Sequence, residues 1–124
     1  MISLLKQAKK ILSGSASNET EQLPEWAQQL KPGDIAIDCG ANVGSITTLM
    51  ASSGATVYAF EPNPHAYTAL PQATRKMKNV TCFAKAVGTE PSRVKLYLHE
   101  NASENQVYWS TGSSLLSYKG NVNE

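Results

Sequence analysis

The chain has 124 residues, the size of one ordinary domain and small for a complete cofactor-dependent enzyme. Its 11 basic and 10 acidic residues leave a formal net charge of +1, so the composition does not favour a nucleic-acid-binding protein. Cys39 and Cys82 lie in neither a C-x-x-C nor a metal-ligand spacing. We therefore expect buried thiols, no metal site and a reducing, cytoplasmic location.

Residues 1–19 are predicted to form an N-terminal helix followed by a linker. The first twelve, MISLLKQAKKIL, have lysines among the apolar positions, which does not fit a signal peptide. We expect this amphipathic helix to dock onto the domain, with membrane-surface contact as the alternative. The small polar run SGSASNET is typical of a linker. No segment reaches the roughly 18 apolar residues of a transmembrane helix.

Residues 20–124 are predicted to form a partial domain in which strands and helices alternate. A short helix near Leu23–Leu30 comes first, and Pro71 should kink or restart a later helix. Alternation of this kind indicates an α/β fold with a Rossmann-like, doubly wound parallel sheet, of which this is the N-terminal half. The predicted strands are Ile35–Cys39, Thr56–Phe60 and Val80–Ala86, and the predicted helices are Ser45–Ser53 and Pro64–Met77.

The pattern changes after this α/β region. Val94–His99 alternates between apolar and polar residues with period two, and Gln106–Trp109 does so more loosely. A polar connection joins the two segments. We therefore predict an added antiparallel hairpin with one solvated face.

The first predicted strand runs into the sequence DIAIDCGANVGS. A parallel strand and the N-terminus of the following helix meet at one edge of the sheet. Gly40 and Gly44 would leave room for a ligand there, Asn42 tolerates a positive φ, and Ser45 can cap the helix. The alternative is that Asp38 only caps this helix and that the glycines only form a turn.

Glu61 ends the second predicted strand and is held extended by Pro62. A carboxylate at this place can accept both hydroxyls of a ribose, although a solvated strand end is the alternative. The glycines do not follow the dinucleotide pattern G-x-G-x-x-G, and Asp38 would repel a pyrophosphate. An acid here suits a cationic amino-acid portion instead, as in S-adenosylmethionine.

Three segments, D-C-G-A-N-V-G, V-Y-A-F-E-P-N-P and A-V-G, occur in this order between residues 38 and 88. In order and spacing they resemble the FkbM family of S-adenosylmethionine-dependent methyltransferases. The resemblance implies a class I methyltransferase fold and methyl transfer to a hydroxyl of a small molecule or sugar. It covers about residues 32–116.

The resemblance also implies roles for individual residues. Glu61 would hold the ribose hydroxyls, and the backbone around Lys85 and Ala86 would approach the adenine. The catalytic base is not identified. The complete set of cofactor-binding residues implied is Asp38, Gly40, Ala41, Asn42, Gly44, Glu61, Pro62, Lys85 and Ala86.

The acid-rich K-I-D-x-E-G-type motif that follows in family members is missing, so we expect a truncated member with an exposed edge on its first strand. A homo-oligomer or a partner protein would cover that edge. The alternative function is a non-catalytic cofactor-binding module, or a fragment that needs a partner. A nicotinamide-dependent oxidoreductase is disfavoured by the glycine pattern.

Overall fold

The computed structural model describes residues 24–99 together with Asn105, Ser110 and Leu115. These residues form an α/β unit with three strands and three helices. In chain order the elements are α1 (Glu25–Gln28), β1 (Ile35–Cys39), α2 (Ser45–Ser52), β2 (Thr56–Phe60), α3 (Pro64–Thr74) and β3 (Val80–Phe83). The predicted N-terminal helix, the linker and the domain boundary after residue 19 lie outside the described residues.

The three strands form a parallel sheet in the order β1-β2-β3. In the register Ala36 lies beside Val57, and Ala59 lies beside Cys82. The alternating pattern therefore predicted the α/β class and the first two strands correctly. β3 is shorter than predicted, because the chain leaves the sheet after Phe83 and residues 84–90 are exposed.

Both long helices pack on one face of the sheet. Right-handed crossovers that progress in one direction across a sheet place successive helices on the same side. The result is a core of small and medium side chains in two groups. One group contains Ala36, Ala51 and Val57, and the other contains Ala41, Ala59 and Leu70.

The opposite face of the sheet carries exposed apolar side chains. Ile35 and Ile37 of β1 are 68% and 60% exposed. Next to them in the register lie Thr56 and Tyr58, and farther along the sheet the Phe60 and Phe83 rings stack at 4.7 Å. Within the described residues β1 is also an edge strand. We call the side of the sheet that bears Ile35, Ile37, Tyr58, Phe60 and Phe83 the open face.

The predicted antiparallel hairpin is not supported. The strands that the structure describes are all parallel, and Val94–His99 contains no strand beyond a single bridge residue, Tyr97. Val94 and Leu98 are 60% and 45% exposed, so the alternation does not separate a buried face from a wet one. An alternating pattern gives a strand only where a neighbouring strand takes up its hydrogen bonds. The second predicted strand, Gln106–Trp109, lies outside the described residues.

Pro71 lies within a continuous helix. α3 runs from Pro64 to Thr74 without the predicted restart, and it ends before the predicted Met77. Pro71 is exposed, whereas Leu70 and Thr74 are buried on the inner side. Packing of this inner side stabilises the helix enough to offset the unfavourable proline. Among the described residues, no helix is long and apolar enough to cross a membrane.

Candidate cofactor site

A tight turn between β1 and α2 forms the centre of the candidate site. The backbone N–H groups of Gly40 and Ala41 both donate to the carbonyl of Phe60, at 2.8 and 3.0 Å. Three residues of the turn, Gly40, Asn42 and Gly44, have φ values of 84°, 52° and 92°. These left-handed conformations explain the choice of two glycines and an asparagine, as the sequence predicted.

The two glycines have different surroundings. A Cβ atom built on Gly40 meets nothing within 4 Å, so this position opens into free space. A Cβ on Gly44 would lie 2.9 Å from Leu70 Cδ1 of α3. Gly40 therefore leaves the room for a ligand that we expected, whereas Gly44 allows α2 and α3 to pack closely.

Ser45 is not the N-cap of α2. The N-cap is Gly44, in a left-handed conformation, and no side chain caps this helix terminus. The predicted serine cap is wrong because the turn places a glycine with positive φ at the N-cap position. By contrast, Asn63 does cap α3, since its side-chain oxygen accepts from the His65 N–H at 2.9 Å.

Glu61 connects the end of β2 to this turn. Its Oε2 accepts from the Asn42 backbone N–H at 2.7 Å, and its Oε1 accepts from the Asn63 N–H at the same distance. The residue is only 6% exposed. Because each carboxylate oxygen can accept more than one hydrogen bond, both keep acceptor capacity for a ligand hydroxyl. Glu61 is thus neither a solvated strand end nor directed away from the glycine turn.

Asp38 is buried on the helix-covered face of β1. It is 8% exposed, and its Oδ2 accepts from the Thr47 hydroxyl of α2 at 2.6 Å. Burial raises the pKa of Asp38 above its ordinary value, and the hydrogen bond from Thr47 offsets part of that rise. In the described part of the chain no cationic side chain pairs with Asp38. A positively charged ligand group would stabilise its ionised form.

The remaining predicted residues differ in their distance from this centre. Ala41 is buried in the core beside Ala59 and Leu70, so only its backbone faces the turn. Pro62 follows Glu61 and is half-buried. Lys85 and Ala86 are exposed beyond the end of β3, and no hydrogen bond joins them to the described turn. The structure therefore brings Gly40, Asn42 and Glu61 together around the turn, with Asp38 in β1 two positions before Gly40.

Sequence reasoning missed two residues that contact this group. Thr47 follows Asp38 by nine positions, and the expectation that the inner side of α2 packs on β1 could have identified it. Ser110 lies 68 positions after Asn42 in the chain. The Nδ2 of Asn42 donates a hydrogen bond to the Oγ of Ser110 at 2.8 Å. No local sequence signal indicates this contact.

The donor set and the free space fit an adenosyl cofactor with a cationic amino-acid part. Glu61 would offer acceptors for ribose hydroxyls, Gly40 leaves the turn open, and no cationic side chain among the described residues pairs with Asp38. A dinucleotide fits less well, since its pyrophosphate would lie near the buried Asp38 carboxyl. Within the described residues no cluster of three or more potential metal ligands occurs.

Comparison with known protein families gives an independent result. The family model described as methyltransferase FkbM domain matches residues 38–124, which is more than half of the chain. This match confirms the resemblance drawn from the sequence, and with it S-adenosylmethionine as the cofactor. No protein of curated function matches the chain with comparable significance.

Solved structures of similar fold are distant in sequence. One is TYW2 of P. horikoshii in complex with MeSAdo, with 20% identity, a TM-score of 0.48, and coverage of 53% of this chain and 26% of that one. Another is the 23S rRNA methyltransferase ErmE, with 15% identity, a TM-score of 0.46, and coverage of 75% and 32%. The chain thus spans about a third or less of each of these structures.

Proposed function

Because the chain belongs to the FkbM family of methyltransferases, we propose that it binds S-adenosylmethionine at the β1–α2 turn and serves transfer of its methyl group to a hydroxyl oxygen. The acceptor class that we propose is a small molecule or a sugar. The observation that carries the proposal is the position of Glu61, whose carboxylate is bonded to the Asn42 N–H of the glycine turn.

Three residues of the candidate site have distinct roles in this proposal. Glu61 would accept the ribose hydroxyls with the lone pairs that the two backbone N–H groups leave free. Gly40 keeps the turn backbone accessible, and Asp38 would face the positively charged part of the ligand. When bound, the cofactor supplies an electrophilic methyl group on a sulfonium.

The protein's contribution to methyl transfer is mainly positional. The chain would have to hold the acceptor oxygen close to the methyl group that a bound cofactor would supply. The hydroxyl proton must pass to a base or to solvent. Two short hydrogen bonds to Glu61 and one to Asp38 hold these two carboxylates in place, which supports their proposed part in binding the cofactor.

Calorimetric titration with S-adenosylhomocysteine tests the cofactor assignment. We expect saturable binding by the wild-type chain and at least a tenfold weaker dissociation constant for Glu61→Ala. Glu25→Ala, which alters an exposed carboxylate in α1, is the matched control and should bind like the wild type. Absence of heat in the wild type, or equal binding by Glu61→Ala, would refute the assignment.

A second candidate function is a cofactor-binding unit that needs a partner. It is favoured by the open face, where Ile35 and Ile37 are mostly exposed beside an unpaired edge of the described sheet. The mass of the protein in solution, measured by light scattering, distinguishes the two candidates. A monomer that transfers methyl groups to added alcohols or sugars would exclude the partner-dependent function.

A further inference from the structure

Asn42 is the residue of the glycine turn that makes the most hydrogen bonds. Its backbone N–H donates to Glu61 Oε2 at 2.7 Å, and its Oδ1 accepts from the Val43 N–H at 2.8 Å. Its Nδ2 donates to Ser110 Oγ at 2.8 Å. Asn42 makes these contacts from a left-handed backbone, with φ of 52°.

The contact with Ser110 differs from the other two. Glu61 and Val43 belong to the β1–β2 region that builds the turn, whereas Ser110 lies 68 positions along the chain. Ser110 is only 6% exposed, whereas Asn42 is half-buried, so the bond between them is partly buried. Through this bond a distant part of the chain holds the side chain of the residue whose N–H orients Glu61.

We propose that Ser110 is a positioning residue of the cofactor site, which acts through Asn42 to hold the turn against Glu61. The inference rests on the proposed function, because the readout that matters is cofactor affinity. The bond to Ser110 holds the side-chain amide of Asn42 in place, and this side chain in turn holds the left-handed backbone. The backbone conformation then directs the Asn42 N–H at the Glu61 carboxylate. The Glu61 carboxylate is then preorganised before a ligand arrives.

A double-mutant cycle isolates the effect. Ser110 takes part in at least one further interaction, so Ser110→Ala alone does not isolate its bond to Asn42. Asn42→Gly removes the partner side chain, keeps the backbone N–H and tolerates the positive φ. The cycle comprises the wild type, Ser110→Ala, Asn42→Gly and the double variant, with S-adenosylhomocysteine affinity measured by calorimetry.

We expect Ser110→Ala to weaken S-adenosylhomocysteine binding about fivefold, the effect of losing one typical hydrogen bond. Ser110→Thr keeps the hydroxyl and should restore most of the affinity. In the Asn42→Gly background, Ser110→Ala should have no further effect. Unchanged affinity of Ser110→Ala, or an equal loss in the Asn42→Gly background, would overturn the proposal.

Nuclear magnetic resonance of the ligand-free protein separates this inference from the proposed function. Ser110→Ala should shift the Asn42 backbone and side-chain amide signals, whereas the control Ser52→Ala, at an exposed position in α2, should not. Lack of binding by the wild type together with shifted Asn42 signals would refute the cofactor assignment and, with it, a role in affinity. Unshifted Asn42 signals would refute the positioning role regardless of ligand.

Discussion

Glu61 and Asn42 are joined across two neighbouring strands by a 2.7 Å hydrogen bond from a backbone N–H to a buried carboxylate. The second oxygen of Glu61 accepts from the Asn63 N–H at the start of α3. One side chain thus links the turn after β1 to the segment after β2. Removal of the Glu61 carboxylate should therefore lower both the stability of the fold and the affinity for the ligand.

Glu61→Gln should lower the free energy of unfolding by about 1–3 kcal/mol, because an amide offers one acceptor oxygen to two backbone N–H donors, of Asn42 and Asn63. Urea denaturation measures the change. Glu25→Gln removes an exposed charge in the first turn of α1 and is the control, with an expected effect within about 0.5 kcal/mol. A Glu61→Gln midpoint equal to that of the wild type would contradict the two hydrogen bonds.

Gly40→Ala and Gly44→Ala should have separable effects. Both place a Cβ on a backbone with positive φ, which costs about 1–2 kcal/mol. Gly44→Ala adds a clash with Leu70, so it should cost about 1–3 kcal/mol more in urea denaturation.

If both variants fold, Gly40→Ala should reduce the affinity for the ligand more than Gly44→Ala does. Gly40→Ala meets no protein atom but occupies the open space of the turn, so it should weaken S-adenosylhomocysteine binding at least tenfold by calorimetry. Equal losses of stability for the two variants would indicate that α3 does not restrict Gly44.

Asp38→Asn should leave the ligand-free protein at least as stable as the wild type at pH 7. Burial raises the pKa of Asp38 in the folded state above its ordinary value of 3.8, so the folded state binds the proton more tightly than the unfolded state. The carboxyl therefore costs stability above its folded-state pKa, and the cost disappears as the pH falls below its unfolded value. Asparagine can still accept from Thr47 and carries no charge.

Urea midpoints of the wild type and Asp38→Asn should accordingly converge as the pH is lowered towards 3.8. S-Adenosylmethionine affinity should change in the other direction at pH 7, since the variant lacks the negative charge that we propose to face a cationic ligand. A variant that is less stable at pH 7 yet binds normally would show that Asp38 serves the fold alone.

Ile37→Thr and Val57→Thr compare the two faces of the sheet. Val57 is fully buried under the helices, and a hydroxyl there should cost about 1–3 kcal/mol in urea denaturation. Ile37 is 60% exposed, so its replacement should change stability by less than about 0.5 kcal/mol.

The same Ile37→Thr variant reports on the open face. If a second copy covers this face, size-exclusion chromatography at high concentration should show less association for Ile37→Thr than for the wild type. An Ile37→Thr cost as large as that of Val57→Thr, in dilute monomeric protein, would mean that Ile37 is buried in solution.

The amino-acid sequence by itself determined the alternation of strands and helices, the glycine turn and the acid at the end of β2. These features depend on local chemistry: hydrophobic runs with fixed periods, left-handed residues at Gly40 and Asn42, and the restriction that Pro62 places on Glu61. The bounds of β1 and β2 agree with those predicted. The same local signals carried the resemblance that the family match confirmed.

Only the tertiary structure decided which of these residues act together. Leu70 comes from another helix, and its approach makes Gly44 a packing residue; Ser110 reaches Asn42 from 68 positions away. The predicted hairpin was not supported because the strands that the structure describes are all parallel, and the alternation at Val94–His99 gives only a single bridge residue, Tyr97. Contacts between distant segments depend on how elements pack in space, and the local periodicity of one sequence does not encode that packing.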